Sequence, residues 1–185
     1  MNNYLSDLKN AFSDLDSNMI SRVIESVEKV IDSGNTIHFI GNGGSAGTPS
    51  HSAGDWSKEL GVATICHTDN ISSLTAWAND TSYEEIFVNQ LKVYLKSGDI
   101  LLAYSGSGNS ENVLRGVNYA KEMNCLTIGF TGDYKGGRGG ELAKIVDYPL
   151  VFNTQSMERI EDLQLIINHI VKESIKSKRN INSSC

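Results

Sequence analysis

The fold is decided by the run Thr36-Ile-His-Phe-Ile-Gly-Asn-Gly-Gly-Ser-Ala-Gly-Thr-Pro49. Its first five residues are β-branched or aromatic apart from one histidine, which predicts a short buried strand. The glycines of residues 41–47 let the backbone turn tightly and leave successive amide N–H groups exposed. Thr48 is a good N-cap and Pro49 a good first helical residue, so we expect a helix over 49–60. Exposed amides beside a helix N-terminus form a binding site for an anion.

The same alternation of short apolar runs and amphipathic stretches continues along the chain. Further strands are predicted at 62–66, 100–104, 126–130 and 146–152, and further helices near 82–95, 111–122, 139–145 and 156–177. Residues 3–33 add one amphipathic helix, or two with a break near residues 14–17. Strands that alternate with helices indicate βαβ units, so we expect an α/β fold with a mostly parallel sheet and helices on both faces.

The third predicted strand also ends in a polar loop, Ser105-Gly-Ser-Gly-Asn-Ser110, and a helix begins near residue 111. Ser105 and Ser107 stand too early in the chain to cap that helix, so their hydroxyls are free for a ligand. Neither loop contains Lys or Arg, and an anion would be held by neutral donors and the helix dipole. Ligands of open parallel sheets bind at the carboxyl ends of the strands. The two loops together therefore predict a site for a small sugar phosphate.

A dinucleotide is the alternative ligand for the first loop. Gly41, Gly43 and Ala46 fit the GxGxxG/A pattern, and Asp69 could bind a ribose. This alternative leaves the serine-rich second loop unexplained, and the lysine-containing phosphate-loop pattern is absent. We therefore expect no nucleotide cofactor.

Composition limits the classes of protein that the chain can belong to. Its 185 residues, with a formal net charge of −6 and 39% hydrophobic residues, suit one domain over 1–175 that includes a helical segment at 1–33, and a disordered tail over 176–185. The acidic balance argues against a nucleic-acid partner, and no run of about 18 apolar residues exists to cross a membrane. Three cysteines far apart predict neither a disulfide scaffold nor a structural zinc site. We expect a cytoplasmic protein, since the N-terminus does not resemble a signal peptide.

Two acid–histidine pairs carry the remaining chemistry. His51 and Asp55 lie four residues apart and share one helix face. On the last helix, Glu161 and His169 lie opposite the apolar stripe that contains Leu163. In a single chain both pairs would be ordinary solvated groups, so spacing alone does not identify the catalytic residues.

The ordered set of motifs resembles the sugar isomerase (SIS) fold and, more narrowly, the phosphoheptose isomerases. The resemblance rests on Gly41-Asn-Gly-Gly-Ser45, His51, Trp77-Ala-Asn79-Asp80, Ser105-Gly-Ser-Gly-Asn-Ser110, Phe130-Thr-Gly132, Arg159-Ile-Glu161-Asp162 and His169. It implies a three-layer α/β/α sandwich with a five-stranded parallel sheet, in a homotetramer whose active sites lie between subunits. It also implies interconversion of sedoheptulose 7-phosphate and D-glycero-D-manno-heptose 7-phosphate, the first step of nucleotide-activated heptose synthesis for lipopolysaccharide or capsule.

The resemblance assigns roles residue by residue. The substrate would be bound by Asn42, Gly43, Gly44, Ser45, Asn79, Asp80, Ser105, Gly106, Ser107 and Ser110. One Zn²⁺ or other divalent metal ion per subunit would be held by His51, Asp55, Glu161 and His169. In the proton transfers, Asp55 or Glu161 would be the base and His169 the acid.

The chain departs from the common family pattern at two of these positions. Asp55 stands where many members have Glu, and Glu161 stands where many have Gln. Two alternatives therefore remain at the level of sequence. One is an isomerase of another phosphosugar. The other is a non-catalytic SIS protein that senses sugar phosphates or binds a replication initiator.

Overall fold

The computed structural model describes residues 2–181. Its strands are β1 (Thr36–Gly41), β2 (Ala63–Cys66), β3 (Ile100–Tyr104), β4 (Leu126–Gly132) and β5 (Tyr148–Phe152). Its α-helices are α1 (Asn2–Ser13), α2 (Ser17–Ser33), α3 (Gly44–Leu60), α4 (Ile71–Asp80), α5 (Ile86–Tyr94), α6 (Glu111–Glu122), α7 (Leu142–Ile145) and α8 (Met157–Lys178). No helix in this part of the chain is long and apolar enough to cross a membrane.

The five strands form one parallel sheet in the order β2-β1-β3-β4-β5. The chain leaves β1 toward one edge of the sheet and later returns to place β3 on the other side of β1. This reversal between β1 and β3 is the place where open α/β sheets form a ligand-binding crevice. The predicted α/β class and the five-stranded parallel sheet are confirmed.

Two apolar layers cover the faces of the sheet. One layer packs α2, α3 and α8 against the sheet and contains the fully buried Trp56 and Tyr104. The other layer packs α5, α6 and α7 on the opposite face and contains Phe87 and Leu91. The structure is therefore the expected three-layer α/β/α sandwich, with the helical segment α1–α2 added at its N-terminus.

The predicted start of α3 is wrong, because the helix begins at Gly44 and Thr48 lies inside it. Gly43 adopts φ 58° and ψ −127° as the residue before the helix, a conformation that suits glycine. Pro49 lies inside the helix and has no N–H to bond the carbonyl of Ser45. That carbonyl lies so close to Gly41 that a Cβ on Gly41 would be 2.0 Å from its oxygen. Proline and glycine together thus place the N-terminus of α3 directly at the end of β1.

Two predictions concern the ends of the chain: a helix break near residues 14–17 and a tail that starts at residue 176. The N-terminal segment is two helices, because Asp16 caps α2 by accepting hydrogen bonds from the amides of Asn18 and Met19. A tail beginning at residue 176 is wrong, because α8 continues to Lys178 and Lys176 is only 6% exposed. Residues 182–185 of the predicted tail lie outside the described residues.

Candidate active site

A cavity of about 230 Å³ lies at the carboxyl ends of β1 and β3. We call it the serine cradle. Its lining residues come from the two predicted loops and from the start of α8: Asn42, Gly43, Gly44, Ser45, Tyr104, Ser105, Gly106, Ser107, Ser110, Met157 and Glu161. Eight of the ten residues predicted to bind substrate therefore line one cavity. Asn79 and Asp80 are not among them; they lie at the exposed end of α4, where Asn79 donates a hydrogen bond to Asp80.

Two helix N-termini meet at the serine cradle without side-chain caps. Gly43 precedes α3 and Ser110 precedes α6, and neither makes a capping side-chain hydrogen bond. The Ser110 hydroxyl is instead paired with the Ser105 hydroxyl at 3.1 Å. In α6 the Val113 amide donates to Asn112 Oδ1 at 2.9 Å. Since neither N-cap residue supplies a side-chain acceptor, both helices can still direct N–H groups and their positive dipole ends at an anion.

The loop after β3 is fixed in place by the chain that follows β4. Gly108 has φ 68°, and a Cβ there would lie 1.8 Å from the carbonyl oxygen of Gly139. Asn109 accepts a hydrogen bond from the amide of Glu141 at 3.1 Å. These contacts hold the serine hydroxyls in a set geometry before any ligand arrives, which lowers the entropy cost of binding.

Glu161 supplies the carboxyl group that lines the serine cradle. It is half-buried and packs against Gly44 so closely that a Cβ on Gly44 would lie 2.3 Å from its carboxyl carbon. Burial raises the pKa of Glu161, and the negative charges of Glu158 and Asp162 raise it further. A carboxyl group with a raised pKa beside an anion-binding loop has the properties of a general base.

Three partners of the cradle were not identified from sequence. Gln164 is fully buried, and its Oε1 accepts a hydrogen bond from the Ser45 hydroxyl at 3.1 Å while its Nε2 has no partner. Asn42 exchanges two hydrogen bonds with Asn112, at 2.8 and 3.0 Å, and accepts a third from Tyr83. Gln164 follows the apolar Leu163 on the buried face of α8, and a polar residue at such a position is the signal that sequence offered.

Docking of α3 against α8 builds a second polar cluster. We call it the α3–α8 seam; it consists of His51, Asp55 and Glu59 on α3 and His169, Lys172 and Lys176 on α8. The Nε2 atoms of His51 and His169 are 3.3 Å apart, and their rings are nearly perpendicular. One carboxylate oxygen of Asp55 lies within 4.8 Å of a ring nitrogen of each histidine.

The donor set of this cluster fits a divalent metal ion. Two ligands bound to tetrahedral zinc at about 2.0–2.1 Å lie about 3.3 Å from each other, which is the separation of the two histidine nitrogens. Two imidazoles and one carboxylate also match the ligands of catalytic zinc sites, which leave a fourth position open. The predicted fourth ligand, Glu161, does not join this group. It precedes His169 by eight residues, or about 12 Å of helix rise, and lies in the serine cradle instead.

Asp55 is not the solvated surface group that its spacing suggested. The Lys172 ammonium donates a hydrogen bond to Asp55 Oδ2 at 2.6 Å, and both side chains are largely buried. Glu59 accepts hydrogen bonds from Lys172 and from Lys176. The hydrogen bond from Lys176 is the main cause that lowers the pKa of Glu59 to about 2.

Neutral hydrogen bonds lie beneath the charged seam. The buried Tyr104 hydroxyl donates to Asn168 at 2.8 Å, and Asn168 donates to Ser52 at 2.7 Å. The indole N–H of Trp56 donates to the carbonyl of Asn168 at 3.3 Å. Because Tyr104 belongs to β3, Asn168 to α8 and Ser52 to α3, these bonds fix the seam relative to the serine cradle.

Comparison with known proteins first defines the class. The sequence profile of the SIS domain matches residues 2–132. A solved phosphoheptose isomerase from Francisella tularensis superimposes with a TM-score of 0.86 at 25% identity, covering 95% of this chain and 96% of that one. Another from Neisseria gonorrhoeae gives a TM-score of 0.83 at 28% identity, covering 94% and 92%. The sandwich is an SIS domain.

Two curated relatives narrow the class to a family. The probable phosphoheptose isomerase of Thermoplasma acidophilum is 34% identical over 180 residues, or 95% of this chain and 97% of that protein. The phosphoheptose isomerase of Clostridium acetobutylicum is 34% identical over 164 residues, or 86% of this chain and 82% of that protein. The chain belongs to the SIS-domain phosphoheptose isomerase family, and it is an enzyme, a phosphosugar isomerase.

Proposed function

We propose that this isomerase converts sedoheptulose 7-phosphate to D-glycero-D-manno-heptose 7-phosphate, and that the product supplies nucleotide-activated heptose synthesis. The observation that carries the proposal is the serine cradle, in which two uncapped helix N-termini and four serine hydroxyls surround one cavity next to the carboxyl group of Glu161. The absence of Lys and Arg from the lining favours one small phosphate monoester over a polyphosphate.

The reaction needs a base, an acid and a bound phosphate. Ser45, Ser105, Ser107 and Ser110 would bind the phosphate, and the amides of Gly43 and Gly44 would face the sugar. Glu161 would remove the proton from C1 of the ketose, giving a cis-enediol. Protonation at C2 then yields the aldose, and His169 would donate that proton from a ring nitrogen that no metal ion occupies. Glu161 is favoured over Asp55 as the base, because Lys172 already binds the carboxylate of Asp55.

The α3–α8 seam would hold the metal ion. His51, Asp55 and His169 would be its ligands, and Zn²⁺ is the ion that this donor set favours. When bound, a divalent ion polarises a substrate carbonyl or hydroxyl oxygen as a Lewis acid. The protein side chains do the proton transfers.

A homotetramer would complete the site. The serine cradle is smaller than the 300–1,000 Å³ of typical ligand pockets, so the sugar would extend beyond it. Asn79 and Asp80, which lie outside the cavity, could then serve a neighbouring subunit. Multi-angle light scattering tests this, since a monomeric mass would contradict it.

Proton NMR of sedoheptulose 7-phosphate with the enzyme in D₂O tests the reaction. We expect new heptose 7-phosphate signals with deuterium at C2, because the enediol takes its proton from solvent. A parallel sample with a chelator measures the contribution of metal. Turnover of a different ketose phosphate but not of this one would retain the isomerase and overturn the proposed substrate.

A further inference from the structure

We propose that Lys172 is a positioning residue that fixes the Asp55 carboxylate and weakens the binding of divalent metal to the His51–Asp55–His169 group. The inference rests on the proposed metal group and does not depend on which sugar the enzyme converts.

The first observation is the geometry of the ion pair. Lys172 Nζ lies 2.6 Å from Asp55 Oδ2, and the two side chains are only 10% and 17% exposed. Solvent and salt therefore screen this pair far less than an ordinary surface pair. With the ammonium on Oδ2, a metal ion on the other oxygen of Asp55 would avoid direct contact with a second cation.

The second observation is that Lys172 cannot easily move away. Its ammonium also lies 3.4 Å from Glu59 and 3.6 Å from Glu173. Three carboxylates thus surround one buried ammonium, which stabilises the charged form of Lys172.

The third step is electrostatic. A divalent ion on the free oxygen of Asp55 would lie about 5 Å from the Lys172 ammonium, given ordinary metal–oxygen distances. Repulsion between two cations at that distance in a half-buried site is substantial. Lys172 also neutralises the negative charge that would attract the ion. Removing the ammonium should therefore strengthen metal binding, whereas a purely structural lysine would not give that result when replaced.

Co²⁺ titration followed by visible absorption tests the inference, because the absorption bands of Co²⁺ report its coordination. We expect Lys172→Met and Lys172→Gln to bind Co²⁺ at least about tenfold more tightly than the unaltered chain. Lys172→Gln keeps a hydrogen-bond donor to Asp55 and serves if Lys172→Met does not fold. Lys172→Arg keeps the charge and should keep the weak affinity.

Two controls locate the effect. Lys176→Met removes a buried ammonium that binds Glu59 rather than Asp55, so we expect a change below about threefold, and His51→Ala should remove the Co²⁺ bands. Unchanged or weaker binding in both neutral Lys172 variants would overturn the inference. So would bands that persist in His51→Ala, or no Co²⁺ binding by any variant. Isomerase turnover of the unaltered chain is measured separately by NMR. Its absence would contradict the proposed function and not the inference about Lys172.

Discussion

The serine cradle and the α3–α8 seam share two helices but are built from different materials. The anion-binding part of the serine cradle consists of backbone amides and hydroxyls from two loops, each of which follows its strand directly in sequence, and the start of α8 adds Met157 and Glu161. The seam consists of charged and imidazole side chains that come from residues more than 100 positions apart. The cradle is therefore determined by local sequence, and the seam by how α3 docks on α8. Phosphate binding in the cradle and metal binding in the seam can therefore vary independently in this fold.

The largest expected effect separates the two candidate bases. We expect Glu161→Gln to lower kcat about 10³-fold, because the cradle then lacks a proton acceptor. Asp55→Asn should cost only about tenfold, since the Asp55 carboxylate is already bound by Lys172. Steady-state rates, with light scattering to verify the assembly, measure both. A larger loss in Asp55→Asn would move the base from the cradle to the seam.

A steric change in the cradle should come next in size. The added Cβ of Gly44→Ala would overlap the carboxyl group of Glu161 and displace it by roughly 1 Å, which should lower kcat about 100-fold. Gly47→Ala is the matched control on the same helix, because a Cβ there meets nothing within 4 Å. Equal activity in the two variants would show that the Glu161 position is not critical.

A negative charge on the buried residue that supports Ser45 should weaken phosphate binding without replacing any residue that lines the serine cradle. In Gln164→Glu the new carboxylate would accept the hydrogen bond from the Ser45 hydroxyl and repel an anion, so we expect inorganic phosphate to bind about thirtyfold more weakly. Gln164→Met leaves the Ser45 hydroxyl free and should change the dissociation constant less than about threefold. Calorimetry with inorganic phosphate measures both. Similar losses in the two variants would indicate a packing effect.

The smallest expected effect is a loss of stability at low pH, which we assign to the sheet rather than to the seam. His67 is fully buried beside His38; burial, followed by the charge of His38, lowers its pKa to about 3. Below pH 6.5 the unfolded chain takes up a proton on His67 that the folded protein does not. The free energy of unfolding therefore decreases as the pH is lowered. Between pH 7.5 and 5.5 His67 should contribute a loss of about 1.4 kcal/mol. The ion pairs of Glu59 in the seam stabilise the folded protein throughout that pH range, because the Glu59 carboxylate takes up its proton only between about pH 4.5 and 2.

Urea unfolding at the two pH values measures this loss. His67→Gln should remove about 1.4 kcal/mol of the difference between them, while Lys176→Met, which alters the seam, should leave the difference unchanged. A pH dependence that disappears with Lys176→Met and persists with His67→Gln would reverse the assignment.

Sequence predicted the sheet and the cradle well because both depend on local pattern. The apolar runs of β1 and β3 and the polar loops after them are visible within windows of about ten residues. The start of α3 was wrong because Pro49 usually marks the first turn of a helix, whereas here the preceding glycine-rich residues already form helical turns. Helix α4 was missed although Leu74, Trp77 and Ala78 have helical spacing, because the helix has only ten residues and none of them is fully buried.

The seam could be predicted only in part. Helical spacing placed His51 with Asp55 on one face, and family resemblance added His169. No local pattern pairs Asp55 with Lys172, because the two residues are 117 positions apart. The placement of Glu161 outside the histidine group likewise depends on how α8 packs on α3, which no local pattern reports.

The hydrogen bond from Trp56 to the carbonyl of Asn168 gives the molecule a built-in optical reporter. The indole of Trp56 lies fully buried on α3, packs edge-on against Phe39 and contacts the backbone of α8. Its emission therefore reports the contact between the two helices that carry the catalytic groups. Because the chain has only two tryptophans, replacing Trp77 with phenylalanine leaves Trp56 as the single tryptophan fluorophore. Its emission wavelength then follows the docking of α3 on α8 in real time.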